Sequence, residues 1–267
     1  MNTVKILSIE KKTKSKKYKV ITDDLDYTVS EDMIIKHQLF KDKVFTEKEF
    51  KQVIEDILED EYFNKVINLL SISYKSEYEV IKYIHTNEAK NKQYLKEVQI
   101  QNIIKKLKQF NYLDDNKLCD YAIDYYIRNK KGPLFIKQKL KEKKIEESII
   151  NDKIKRYDYD LEEKIIVEII KKENNKNLPL KKYKQNLSNK LIRNGFTSSI
   201  VYKLIDKVNF EDNSELLIEK DYNKIYNRVK DKNKTESEKK QLIINGLLSK
   251  GYEYSIIKNY LNNCSNK

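Results

Sequence analysis

Residues 132–149 read Gly132-Pro133-Leu134-Phe135-Ile136-Lys137-Gln138-Lys139-Leu140-Lys141-Glu142-Lys143-Lys144-Ile145-Glu146-Glu147-Ser148-Ile149, and the fold turns on this stretch. Apolar residues stand at 136, 140, 145 and 149, a spacing of +4, +9 and +13 from the first. Side chains four apart share one face of a helix. The +9 residue lies past the helix end and packs back on it. Pro133 suits a first helical turn, where its missing N–H costs nothing and its ring presets the backbone. The stretch reads as a helix, a tight turn and a second helix.

The spacing recurs at Leu187, Leu191, Phe196 and Ile200, and again at Ile243, Leu247, Tyr252 and Ile256. Val80 and Ile84 begin it once more before an insertion at 87–93 breaks it, and Ile103, Leu107 and Tyr112 form a partial copy beyond. The starts at 80, 136, 187 and 243 are 56, 51 and 56 residues apart. Gly195 and Gly251 stand just before the +9 residue, where a helix C-terminus favours glycine. Ser76 with Glu79, Gly132-Pro133, Leu178-Pro179 and Thr235 with Glu238 mark helix starts. An apolar helical segment precedes each unit, at 66–72, 121–127, 165–170 and 222–229. Three short helices bury little alone, so tandem copies are expected to stack.

The first thirty residues alternate instead. Val4 to Ile9, Tyr18 to Thr22 and Leu25 to Val29 read as three antiparallel strands, with the lysine-rich 11–17 between the first two. Ser30 caps a short helix, and Thr46 with Glu49 forms a capping box before Phe50, Val53, Ile54, Ile57 and Leu58. Strands are expected only before residue 30. The expected fold class is mainly α: tandem three-helix repeats forming an elongated array, preceded by a small β-rich N-terminal module. The expected boundaries are 1–61 for that module and 62–118, 119–163, 164–210 and 211–267 for four repeats.

Composition narrows the function. The chain has 267 residues, with Gly 4 and Pro 2, too few punctuators for a sandwich, barrel or loop-rich enzyme. No two glycines are spaced for a phosphate-cradling loop. With His37, His85, Cys119 and Cys264 alone, no zinc set, catalytic triad or disulfide framework is expected. The acidic run Glu59-Asp60-Glu61 reads as a solvated helix face, not a cation site. No cofactor, metal or catalytic residue is expected. No stretch approaches the ~20 apolar residues of a membrane span, and the first residues lack a signal-peptide core. A cytoplasmic, reducing compartment, a monomer and no membrane contact are expected.

The net charge is +13, from 51 Lys and 4 Arg against 42 acids. An AT-rich genome's codon bias would also enrich Lys, but not unevenly. Residues 1–62 hold 12 basic and 14 acidic residues, whereas 63–267 hold 43 and 28. From Arg128 to Lys144 eight basic residues (Arg128, Lys130, Lys131, Lys137, Lys139, Lys141, Lys143, Lys144) face one acid, Glu142. Lys137, Lys141 and Lys144, at i, i+4 and i+7, are expected to form one stripe. Lys171 to Lys190 holds seven Lys, including Lys181, Lys182 and Lys184, against Glu173. Matching stripes on successive repeats suit a phosphate backbone; a solvated face is the alternative. Tyr125, Tyr126, Tyr183 and Tyr202 lie near these runs. Exposed tyrosines stack on bases, though most are expected in the core.

Tyr112-Leu113-Asp114-Asp115, then Lys131-Gly132-Pro133, Ile136 and Leu140, resembles the signature of the RecX regulatory proteins of bacteria, where it joins the first two three-helix repeats. Val29-Ser30-Glu31-Asp32, ending the N-terminal strands, is similar to the longer RecX proteins of low-GC Gram-positive bacteria. The resemblance extends over nearly the whole chain. Leu118-Cys119 stands where the family usually has Phe-Ala, Ala122 and Ile123 where it tends to have an aromatic and Val, and Tyr126 where Arg is common. Apolar character is kept, and Cys119 reads as a small buried residue. Asp114 reads as a helix N-cap, not half of an acid–base pair. The resemblance implies a regulator, not an enzyme, that binds RecA and its filament on single-stranded DNA and suppresses strand exchange and ATP hydrolysis. The alternative is a general nucleic-acid-binding helical repeat protein that does not touch RecA.

Overall fold

The computed structural model describes residues 3–13, 17–173, 175 and 177–265. Strands β1 (Thr3–Lys11), β2 (Lys17–Thr22) and β3 (Asp26–Ser30) lead into helix α1 (Glu31–Lys36), strand β4 (Val44–Thr46) and helix α2 (Glu47–Ile72). Eleven further helices follow among the described residues: α3 (Glu77–Asn91), α4 (Glu97–Gln109), α5 (Asp115–Arg128), α6 (Pro133–Glu142), α7 (Glu147–Ile154), α8 (Tyr159–Ile170), α9 (Leu180–Arg193), α10 (Ser198–Lys207), α11 (Ser214–Val229), α12 (Glu236–Lys250) and α13 (Tyr254–Ser265). The chain divides into two compact units, Met1–Cys119 with Lys143–Glu146, and Asp120–Glu142 with Glu147–Lys267.

In the first unit the strands form one antiparallel sheet in the order β3-β2-β1-β4. Strands therefore do not stop before residue 30. Asp42, at φ 68, lies in the turn that brings Val44–Thr46 back along β1, with Val4 opposite Phe45. A three-residue strand is too short to show an alternating pattern, and it was missed for that reason. The lysine-rich linker falls partly at 14–16, outside the described residues. Ile6, Val20, Val29, Leu39, Phe45, Phe50 and Val53 form the module's core.

α2 has 26 residues, about 39 Å at the α-helical rise. Its first half packs on the sheet, while Tyr62 and Val66 enter a second core with Val80, Ile84, Ile100, Ile103, Ile104, Leu107 and Leu113. A domain boundary at 61/62 would cut this continuous helix. The expected boundary at 163/164 falls inside α8, and that at 118/119 lies within α5, one residue from the division between the compact units. The insertion at 87–93 is absorbed largely by lengthening α3, which ends at Lys92 in the left-handed region. Glu59 is buried, not solvated, and accepts from Lys106 and Asn102, while Glu61 pairs with Lys65.

In the second unit the repeated positions are buried. Ile136, Leu140, Leu191, Phe196 and Leu247 are completely enclosed, with Leu187, Ile243 and Tyr252 nearly so; Ile145, in the first unit, is buried too. The fourth position needs correction. Ile200 is buried as expected, but Ile149 and Ile256 are only half-buried, whereas Ile150, Val201 and Ile257 are all fully buried. The recurrence is thus +14, because the second helix of each pair turns its next residue inward. Gly195 and Gly251 take positive φ, 86 and 96, as the glycine placement implies. Capping boxes form at Ser76 and Thr235. Pro133 opens α6, whereas Pro179 is one place earlier, at the N-cap of α9.

α6 begins against the turn that ends α9. Gly132 N–H donates to Asn194 C=O at 2.8 Å, and Leu134 N–H to Gly195 C=O at 3.0 Å. A Cβ on Gly132 would lie 2.2 Å from the Gly195 carbonyl carbon, so only glycine allows this approach. α9 meets the turn after α12 similarly: a Cβ on Gly251 would lie 2.6 Å from Lys182 Cβ.

Candidate nucleic-acid interface

α6 places its lysines by burying Ile136 and Leu140. Lys137 and Lys141, four apart, share a flank. Lys139 faces away from them, salt-bridged to Glu142 at 2.7 Å with its ammonium 5.7 Å from the Phe135 ring. Glu142 raises the Lys139 ammonium, first through that hydrogen bond. Lys141 pairs with Glu147 at 2.6 Å and holds that carboxyl below its ordinary range, chiefly by the hydrogen bond.

The expected stripe is shorter than its spacing suggested. α6 ends at Glu142, so Lys144 is not on it. Lys144 sits in the following turn at φ 58 and belongs to the first compact unit, whereas Lys137 and Lys141 belong to the second. Periodicity cannot show where a helix stops, and no glycine marks this end.

The other basic residues divide by partner. Lys130 pairs with Glu168 at 3.1 Å. Lys131 donates to Asn194 Oδ1 at 2.8 Å and lies 5.1 Å from the Phe135 ring. Lys184 lies 5.7 Å from the Phe210 ring, and Lys182 is half-buried. Arg128 and Lys181 are exposed and Lys137 is half-exposed; among the described residues none of the three makes a hydrogen bond, ion pair or ring contact. Lys176 lies outside the described residues. Exposed ion pairs are worth only ~0–1 kcal/mol, so the paired lysines can be drawn to a polyanion.

Beside these cations α5 carries aromatic rings. Tyr121 and Tyr125 stack at 6.4 Å between centroids, with planes 17° apart. Tyr126 meets Tyr125 at 5.2 Å and Phe135 at 5.4 Å, both edge to face. Tyr126, where the family often has Arg, thus makes ring contacts. Of the other tyrosines noted in the sequence, Tyr183 is buried against Phe210 and Tyr202 is exposed. Tyr121 and Phe135 were missed; the i, i+4 step from Tyr121 to Tyr125, with Arg128 at i+7, was the available signal.

Asp114 caps α5, its carboxylate accepting from the Asn116 and Lys117 amides at 2.9 and 3.2 Å. Burial raises the Asp115 carboxyl, and nearby Glu77 adds to the effect. Tyr112 is half-exposed and touches Phe110, while Leu113 is buried. Leu118, Cys119, Ala122 and Ile123 are all buried. Among the described residues no three His, Cys, Asp or Glu side chains are grouped to hold a metal ion, and no helix is long and apolar enough to cross a membrane.

Fold and surface define a class first: a mainly helical protein with a small N-terminal antiparallel sheet and lysine-bearing helix faces. The chain is 34% identical over 269 residues to the regulatory protein RecX of Streptococcus agalactiae serotype V, covering 97% of this chain and 98% of that protein. It is 30% identical over 268 residues to the regulatory protein RecX of Listeria monocytogenes serotype 4b, covering 97% and 96%. A crystal structure of regulatory protein RecX shares the fold at a TM-score of 0.58 and 23% identity, over 76% of this chain and all of that one. No family model matches the sequence. The chain belongs to the RecX family of regulatory proteins.

Proposed function

We propose that this chain is a cytoplasmic, monomeric modulator that binds RecA and its filament on single-stranded DNA and inhibits recombinase and ATPase activity, without catalysis of its own. The observation supporting this is relatedness to RecX regulatory proteins along 97% of the chain, sheet module and helices alike. On this reading the helices work as four tandem three-helix repeats, and Arg128, Lys130, Lys131, Lys137, Lys139, Lys141, Lys181, Lys182 and Lys184 meet DNA phosphates or the filament. Lys144 contributes from its turn. Tyr112, Leu113, Asp114, Asp115, Gly132, Pro133, Ile136 and Leu140 are structural.

The test is RecA's DNA-dependent ATP hydrolysis, measured as this protein is added at levels too low to coat the DNA. Inhibition there supports a filament modulator. Inhibition only at coating levels favours the second reading, a general nucleic-acid binder, for which unpartnered Arg128, Lys137 and Lys181 speak. Replacing Arg128, Lys137 and Lys141 by Gln should make the log–log salt slope of single-strand binding shallower by ~0.7 for each phosphate left without its cation. An unchanged slope would make them a solvated face.

A further inference from the structure

Tyr121, Tyr125 and Arg128 stand at i, i+4 and i+7, on one face of α5. The two rings are stacked yet 50% and 47% exposed. A buried stack is explained by packing; a half-exposed one leaves π surface in water. Tyr222 and Tyr226 on α11 also stack, 5.8 Å apart, with Tyr260 packed on Tyr222 at 5.3 Å. Of that pair Tyr222 packs on a core containing Ile225 and Val229, whereas Tyr226 is exposed. The Tyr121–Tyr125 stack is continued by Tyr126 and Phe135, whose ring has Lys131 and Lys139 beside it.

The neighbouring charges suit a polyanion. Arg128 is exposed and unpartnered, and Lys130 and Lys131 follow it. Asp120 and Asp124 lie on the same helix, but their carboxylates are held by Lys153 and Arg156. A ligand offering flat rings and phosphates together is a nucleic acid with unstacked bases, since duplex bases present no free faces to a side chain.

We propose that Tyr121 and Tyr125 form a seat on which bases of a single strand stack, with Arg128, Lys130 and Lys131 taking the adjoining phosphates. This rests on the polyanion part of the proposed function and adds that the bases themselves, not the backbone alone, contribute affinity.

The experiment is anisotropy of two labelled strands of equal length, oligothymidylate and an abasic strand, which keeps phosphates and lacks bases. Wild type should bind oligothymidylate about tenfold or more tighter. Replacing Tyr121→Leu and Tyr125→Leu together should erase that difference, leaving abasic binding and salt slope unchanged. Tyr121→Phe with Tyr125→Phe, which keeps both rings, should bind as wild type. Photocrosslinking of an iodouracil-substituted strand to the wild-type protein should map to α5, a readout that survives if the Leu variant fails to fold. Equal wild-type affinity for the two strands, equal losses on both in the Leu variant, or crosslinks confined to other helices would each overturn the seat. So would a Leu variant that loses only RecA inhibition, because the face would then be a protein contact. The seat can fail while the wild type still inhibits RecA below coating levels. Conversely, it stands if base-dependent binding is found without that inhibition.

Discussion

The turns that follow α6 and α9 have the same backbone but are held in opposite ways. Each has one left-handed residue, Lys144 at φ 58 and Gly195 at φ 86, followed by a buried apolar one, Ile145 or Phe196. At Gly195 backbone meets backbone, through the amides of Gly132 and Leu134, and a Cβ would lie 2.3 Å from the Phe135 nitrogen. At Lys144 the seat is polar. Ser76 Oγ donates to the Lys143 carbonyl at 2.7 Å, and the Lys143 ammonium meets Glu79 at 2.6 Å. The Lys144 side chain is exposed. A left-handed residue costs a non-glycine roughly 1–2 kcal/mol, which a helix end can bear. Close approach of another backbone is what makes glycine obligatory. The turn after α12 is intermediate: Gly251 has φ 96, and its Cβ would lie 2.6 Å from Lys182 Cβ and 3.1 Å from the Lys182 nitrogen, a little farther than the approach at Gly195.

The largest expected effect is therefore at Gly195. Gly195→Ala adds left-handed strain to a clash that only backbone movement relieves, and should cost about 3 kcal/mol or more. Gly251→Ala should cost less, about 2 kcal/mol, because its approach to Lys182, 2.6 Å, needs a smaller backbone shift than the 2.3 Å approach at Gly195. Both are read from urea midpoints. Equal small losses, near 1 kcal/mol, would mean that conformation alone selects glycine and that the close approaches relax freely.

The sequence showed this architecture where side-chain spacing determines structure and hid it where backbone contact does. The +4 and +9 positions, the glycine turns and five capping residues could all be read, because each follows from helix geometry or a local hydrogen bond. The four-residue step says nothing about where α6 ends, so Lys144 was placed on a helix that stops at Glu142. The +13 position holds at Ile200 but not at Ile149 or Ile256, because adjacent isoleucines, 149 with 150 and 256 with 257, leave the inward one undetermined. β4 owes its existence to pairing with β1, a contact 40 residues away in sequence. For the candidate interface, the sequence supplied the cations but not their partners. Glu142, Glu147 and Glu168 each take one lysine. It also missed the Tyr121 stack, since tyrosines near basic runs are usually core.

The polar seat makes the next, smaller prediction. Burial raises the Glu79 carboxyl, but hydrogen bonds from Lys143 and the Ser76 amide outweigh it and hold the group below its ordinary range. A carboxyl with a depressed folded pKa stabilises above its unfolded value. That contribution is lost as pH falls through the folded one. Glu79→Gln should thus cost about 1 kcal/mol at pH 7, the worth of a charge-assisted hydrogen bond at a part-exposed site. The cost should vanish at pH values below the depressed carboxyl range. Gly195→Ala, which removes no charge, should cost the same across that range. Thermal melts of both variants from neutral pH to about pH 3 make the comparison. A pH-independent loss for Glu79→Gln would show that the seat is held by shape and not by the ion pair.

The smallest effect is expected at Lys144 itself. Lys144→Gly relieves a left-handed strain of roughly 1–2 kcal/mol. It also frees the unfolded chain, which costs about 0.4–1 kcal/mol. The two nearly cancel, so the urea midpoint should move by less than about 1 kcal/mol, slightly toward stability, with an unchanged slope. Glycine is thus dispensable after α6 and indispensable after α9, although both turns have one left-handed residue. A loss of more than about 1 kcal/mol in Lys144→Gly would mean that its aliphatic stem packs on the turn. The exposure of the side chain argues against such packing. A neutral result would leave Lys144 with a charge that the fold does not need.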